Sequence, residues 1–221
     1  MGNMKMKYQT IIFDLDGTLL DTLEDLTNSV NFALESMGYP RRTLDEVRSF
    51  VGNGVALLIE RAVPMHTERA MTEKTLSLFK EHYAKHCEEK TRPYDGMIPL
   101  LDHLLAKDMQ LAVVSNKIDS AVKPLCDKYF GKRILLALGE KEGIRKKPAP
   151  DSVLTAMSQL HASTETTVYI GDSDVDIQTA ENAGVDCISV TWGFRDPSFL
   201  KEHGAKCLVN TPEDLEKLLL L

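Results

Sequence analysis

The chain has 221 residues, 43% hydrophobic and 27% charged, which is long enough for one or two domains around a real core and too apolar for disorder. Its 26 basic and 33 acidic residues leave a formal charge of −7, a balance that argues against nucleic-acid and anionic-membrane partners but leaves room for a small anionic substrate. No apolar run approaches the ~18 residues of a membrane span, the N-terminal MGNMKMKYQT lacks the apolar stretch of a secretory signal, and Cys87, Cys126, Cys187 and Cys207 form no CxxC pair, so the expectation is a cytoplasmic protein with reduced thiols.

Thr10–Phe13 is the first of a series of short apolar runs that read as buried strands. The stretch after it has a different texture. Leu23, Leu26, Val30, Ala33 and Met37 form a helical stripe closed by Gly38, Thr43 and Glu46 make a capping box, Gly54–Val63 reads as a third helix, and Leu76, Phe79 and Tyr83 mark a fourth. A helical block over 19–92 is too long for an ordinary crossover and reads as an inserted helical domain, with the return linker near Glu88–Gly96. Beyond it strands and helices alternate. The strands are Leu111–Val114, Ile134–Leu138, Thr167–Ile170, Cys187–Val190 and Cys207–Val209. Val153, Leu154, Met157 and Leu160 have helical spacing, as do Ile177, Ala180 and Ala183 before Gly184, and Asp214–Leu221 reads as a closing helix. The pattern predicts an α/β fold: a Rossmann-like parallel sheet core built from 1–18 and 93–221, interrupted by the helical insertion.

Polar residues gather at the C-terminal ends of these strands, where parallel sheets bind ligands. Asp14 and Asp16 follow the first strand, and strand period puts them on one side; alone, they could equally be acidic turn residues. Ser115-Asn116-Lys117 follows the second, offering a hydroxyl and an amide for phosphoryl oxygens, or a helix cap. Lys147, in KKPAP, could pair with a phosphate or an acidic nucleophile, and its basic neighbours read as solvated. Gly171-Asp172-Ser173-Asp174-Val175-Asp176 brings further carboxylates, but Ile177 and Ala183 stand where a calcium loop needs glycine and glutamate. Carboxylates from two strands suit Mg²⁺ instead. GNGVAL follows no strand and is not a dinucleotide fingerprint, His82 and His86 read as a solvated helix face, and Trp192 reads as packing at the sheet edge.

Taken together, Ile11-Ile12-Phe13-Asp14-Leu15-Asp16-Gly17-Thr18, Ser115-Asn116, Lys147 in KPxP, and Gly171-Asp172-Ser173 with Asp176 resemble the motifs of the haloacid dehalogenase-like superfamily over essentially the whole chain. The insertion looks like that family's helical C1-type cap. Within the family the likeness is to phosphoglycolate phosphatases, through DLDGTLLD, Val51–Gly54, KPAP and Thr191-Trp192-Gly193-Phe194. The resemblance implies a Mg²⁺-dependent phosphatase of a small phosphorylated metabolite, phosphoglycolate first, working through an aspartyl-phosphate as a monomer or homodimer. It implies Asp14 as nucleophile and Asp16 as acid and base, with Gly17, Thr18, Ser115, Asn116 and Lys147 on the phosphate. Mg²⁺ would be held by Asp14, the Asp16 carbonyl and Asp172, with Ser173 and Asp176 behind them. Asn53 is the substrate contact expected from the insertion, and Arg61 and Lys80 are further cationic candidates there. A phosphosugar mutase or pyrophosphatase of the same family stays open. A binding protein that kept the fold ranks last, because all four motif positions are filled.

Overall fold

A computed structural model describes residues 7–52 and 54–221. The chain divides into two compact units, residues 7–19 with 93–221, and Leu20–Arg92. In chain order the elements are β1 (Thr10–Phe13), β2 (Leu20–Asp21), α1 (Leu23–Ser36), α2 (Leu44–Phe50), α3 (Val55–Ala62), α4 (Arg69–His86) and β3 (Arg92–Pro93), then α5 (Met97–Leu105), β4 (Gln110–Ile118), α6 (Asp119–Phe130) and β5 (Leu136–Glu140). The rest of the chain forms α7 (Asp151–Gln159), β6 (Thr167–Gly171), α8 (Asp174–Ala183), β7 (Asp186–Val190), α9 (Pro197–Glu202), β8 (Leu208–Val209) and α10 (Pro212–Leu219).

The larger unit is a six-stranded sheet in the order β5-β4-β1-β6-β7-β8, parallel throughout its pairings, with helices in its connections. The first strand in sequence is thus central. Ile11, Ile12 and Phe13 are fully buried, each burial contributing roughly 1.5–3 kcal/mol. This explains why β1 is continuously apolar rather than alternating. Because the strands are parallel, the chain leaves β1, β4 and β6 at the same edge.

Some expectations shift. β4 is longer than its apolar run and carries Ser115, Asn116 and Lys117 within the strand, with its register to β5 shifting between Val114 and Ile118. β5 starts later than expected, leaving Leu135 exposed. Leu154 was placed on the buried stripe of α7, but that helix turns Val153, Ala156 and Met157 inward and Leu154 out. At the C-terminus α10 starts at Pro212, Thr211 Oγ1 accepts from the Asp214 N–H, and Leu221 is exposed.

The second unit is helical, apart from β2 and β3, which pair as a two-stranded ribbon where the chain crosses between units. Its core holds Leu26, Val30, Ala33 and Leu34 of α1, Val47, Leu58, Ile59, and Phe79 and Tyr83 of α4. The capping box forms: the Glu46 N–H donates to Thr43 Oγ1 at 3.2 Å, and the Thr43 N–H donates to Glu46 Oε2 at 2.7 Å. A stronger tie comes from buried Asp25, whose carboxylate accepts from the N–H groups of Lys90 (3.0 Å) and Thr91 (2.8 Å), fastening the end of the unit to its first helix. His82, expected on a solvated helix face, is half-buried. Its ring stacks between Phe32 and His86 at 4.1 Å each, with Nδ1 3.0 Å from Ser29 Oγ, while His86 pairs with Glu89. Of the residues considered for substrate contact, Asn53 lies outside the described residues, Arg61 donates to the Phe50 carbonyl, and Lys80 is exposed.

These two ties differ in strength. Thr43→Ala removes one cap bond and is expected to cost about 1 kcal/mol. Asp25→Ala strands amides behind it and is expected to cost about 3 kcal/mol. Urea unfolding of the two variants side by side measures both, and an Asp25→Ala midpoint no lower than that of Thr43→Ala would refute the ordering.

Candidate active site

β1 hands directly into the site. The Asp14 N–H still donates to the Ile170 carbonyl of β6, so the carboxylate of Asp14 emerges at the strand edge beside the end of β6. There it meets Asp172 and Asp176. The three residues offer oxygens within 4.8 Å of one another, and Asp172 and Asp176 are at most 1% exposed.

One cation sits against them. Lys147 Nζ, 3% exposed, donates to Asp176 Oδ1 at 2.7 Å and to the Tyr169 hydroxyl at 2.9 Å, and lies 2.9 Å from Asp14 Oδ1. Tyr169 in turn donates to the Val114 carbonyl at 3.0 Å. Asp14 Oδ1 is buried and accepts no aligned hydrogen bond. The other two carboxylates accept hydrogen bonds. Asp172 accepts from Thr18 Oγ1 at 3.2 Å and from the Phe194 N–H at 2.7 Å. Asp176 Oδ2 accepts from Ser173 N (3.1 Å) and Oγ (2.6 Å), which also closes the first turn of α8.

Backbone surrounds this cluster so tightly that side chains would not fit. A Cβ on Gly17, where φ is +84°, would lie 2.4 Å from Asp172 Oδ2. One on Gly193 would lie 2.3 Å from both Asp172 Cβ and the Gly17 carbonyl. The loop holding Gly193 is tied down by Trp192, whose Nε1–H donates to the Thr18 carbonyl at 3.0 Å.

The haloacid dehalogenase-like hydrolase family matches residues 11–190 of this sequence. The chain belongs to that family. It is 32% identical to Phosphoglycolate phosphatase 1 of Pseudomonas aeruginosa over 93% of this chain and 77% of that protein. It is 30% identical to the phosphoglycolate phosphatase of Aquifex aeolicus over 96% of each. A Lactobacillus delbrueckii protein described as a candidate phosphoglycolate phosphatase has a crystal structure that superposes with a TM-score of 0.93 at 40% identity, covering 97% of this chain and 99% of that one. The protein is therefore a phosphatase of the haloacid dehalogenase-like family, a phosphoric monoester hydrolase, similar to phosphoglycolate phosphatases.

Such phosphatases generally use a divalent metal, and the aspartate cluster could hold one. The donor set is hard oxygen with no imidazole or thiolate, and Asp14 Oδ1, ion-paired with Lys147 but accepting no aligned hydrogen bond, has a lone pair left for a cation. Electrostatics point the same way. Burial, then the charge of Asp176, pushes Asp172 up to about 7, against the pull of its hydrogen bonds. Burial also raises Asp14 well above the ordinary carboxylate range. For Lys147 burial works against the ammonium, but Asp14 and Asp176 outweigh it and hold it protonated.

The second motif lies within β4 and is tied to its surroundings by hydrogen bonds. Ser115 Oγ is buried and accepts from the Lys117 N–H at 3.2 Å. Asn116 turns to the third motif, its amide donating to the Lys147 carbonyl at 3.0 Å and accepting from the Lys147 N–H at 2.9 Å. Thr18 spends its hydroxyl on Asp172. Asp16 has the ammonium of Lys117 against it rather than another acid. Tyr169 and Lys117, to which the motifs assign no role, also reach the site. The signal for Tyr169 was a phenol in an otherwise aliphatic strand, since a fully buried hydroxyl needs a partner. For Lys117 it was a lysine two residues past Ser115 in a strand.

Two outcomes follow from this packing. Asp172 in the fold is raised above its ordinary 3.8, so its contribution to stability is present below that pH and is lost as pH rises through about 7. Thermal melts of chelator-treated protein are expected to fall between pH 5 and pH 8, and Asp172→Asn is expected to flatten that slope; an unchanged slope would count against it. Gly193→Ala forces Asp172 or the Gly17 backbone to move, at about 1–3 kcal/mol. Phosphate release is expected to fall more steeply than this modest loss of melting temperature implies, which parallel assays of both would reveal.

Proposed function

We propose that the protein hydrolyses a small phosphate monoester through an aspartyl-phosphate on Asp14, with phosphoglycolate the leading substrate and Mg²⁺ the metal. The observation that carries this reading is the buried Asp14 oxygen, 2.9 Å from Lys147 and lacking an aligned hydrogen bond, beside two further carboxylates. The phosphoglycolate phosphatases similar to this chain over most of its length support the substrate.

Asp14 attacks phosphorus, and the bond to the substrate alcohol breaks as the bond to the carboxylate oxygen forms. Asp16 gives its proton to the departing alkoxide and then takes one from the water that cleaves the acyl phosphate, releasing inorganic phosphate and restoring Asp14. Asp14, Asp172 and the Asp16 carbonyl would hold Mg²⁺, with Asp176 behind them, its carboxylate accepting from Lys147, whose ammonium carries charge, and from Ser173. The ion, when bound, reduces the repulsion between carboxylate and phosphate and stabilises the charge of the transferring group. Lys147 is held by Asp176 and Tyr169 with its ammonium 2.9 Å from Asp14, placed to meet an incoming phosphoryl oxygen. The Ser115 hydroxyl and the amide of Gly17 are further phosphate donors, whereas the Thr18 N–H donates to the Leu15 carbonyl at 3.3 Å. Asn116 serves mainly by fixing Lys147 in place. The free thiols, with Cys126 and Cys187 pushed up to about 12 by burial, suit a reducing compartment such as the cytoplasm.

Phosphate release measured with Mg²⁺ on phosphoglycolate, hexose phosphates, nucleotides and pyrophosphate tests the reading. Preference for phosphoglycolate, with loss by at least about a thousandfold in Asp14→Asn and on chelation, is the expected result. Broad activity lost in the variant retains the mechanism and removes the substrate. Sugar-phosphate isomerisation without release would make the protein a mutase.

A further inference from the structure

Lys117 belongs to none of the family motifs, yet its side chain is 4% exposed. It leaves β4 where the register with β5 shifts, and its ammonium donates to both oxygens of Asp16, at 3.0 and 3.2 Å. A lysine at a strand end gains hydration by turning outward, and withdrawing it from water is costly unless the geometry of its partner is good. Here that partner is a carboxylate 101 residues earlier in the chain. Among the described residues the other buried ammonium, Lys147, is taken by Asp14 and Asp176. Each of the two aspartates of the first motif thus has a lysine of its own.

We propose that Lys117 is the positioning residue of Asp16, fixing the carboxyl that exchanges protons with the leaving group and with water. This rests on the phosphatase reading above. Contact at both oxygens restricts rotation of the Asp16 side chain. When Asp16 carries the proton, one oxygen still accepts from Lys117 while the other delivers O–H to the leaving alkoxide, as the phosphorus–alkoxide bond breaks and the bond to Asp14 forms. Lys117 touches neither substrate nor phosphorus, so its influence follows the leaving group's need for a proton. An alkoxide needs one and p-nitrophenolate does not.

The test compares kcat/KM, which reports the steps through alcohol release, for p-nitrophenyl phosphate and for the best alkyl ester of the panel. Lys117→Met keeps the stem and removes the charge. It is expected to lower the alkyl value about 100-fold and the p-nitrophenyl value less than about fivefold. In the Asp16→Ala background it is expected to cost nothing further, as required of a residue that acts through Asp16. A melting curve checks folding. If Lys117→Met does not fold, Lys117→Arg, which keeps the charge and displaces it, is expected to show the same leaving-group bias with a smaller fall. Equal falls on both esters, or an additional loss in the Asp16→Ala background, would overturn the role while leaving the phosphatase reading intact. A wild-type protein inactive on every ester would overturn that reading and the role together.

Discussion

Three buried carboxylates and one buried ammonium occupy a single small volume at the edge of the sheet, and much of the larger unit can be understood as the means of keeping them there. Ionised together, Asp14, Asp172, Asp176 and Lys147 carry an excess of negative charge out of reach of bulk water. Such an excess is tolerated only where hydrogen bonds and a compensating cation meet it. Thr18, Ser173 and the Phe194 amide supply hydrogen bonds, and Lys147 supplies part of the charge. What remains uncompensated raises Asp14 and Asp172 above their ordinary range and makes the cluster receptive to a hard divalent cation. The same imbalance that costs stability is what a cation and a phosphoryl group would relieve.

The sheet order makes this possible. With β1 between β4 and β6, a residue leaving β1 has neighbours from both sides, and parallel strands deliver all of them to one edge. β6 contributes Tyr169 and the loop bearing Asp172. β4 contributes Ser115, Asn116 and Lys117. Asn116 then couples the second motif to the third through the backbone of Lys147. Glycines at 17, 171 and 193 serve the same end, since each stands where a Cβ would collide with a cluster carboxylate.

The first motif shows how two adjacent acids acquire different work. Strand period would have placed Asp14 and Asp16 side by side in one environment, but β1 ends at Phe13 and the alternation ends with it. Asp14 remains beside β6 and faces Lys147, whereas Asp16 reaches Lys117 of β4. A nucleophile and a proton carrier need separate electrostatic settings, and two lysines from different parts of the chain provide them.

The sequence by itself determined the fold class and much of the secondary structure that builds it. These depend on local properties: apolar runs bounded by polar residues, helical spacing in α1, the capping box at Thr43, and parallel topology, which sends the C-terminal ends of the strands to the same edge. Partnership was another matter. That Asn116 would hold Lys147, that Tyr169 would support the same lysine, that Thr18 would spend its hydroxyl on Asp172 and that Lys117 would clamp Asp16 could not be read from spacing. Nor could the outward turn of Leu154 or the stacking of His82 on Phe32. Each depends on which strand or helix lies beside which, and on distances of about 3 Å between atoms far apart in the chain. Periodicity assigns a residue to a face; only the packed structure chooses, among the groups on that face, the one its side chain will meet.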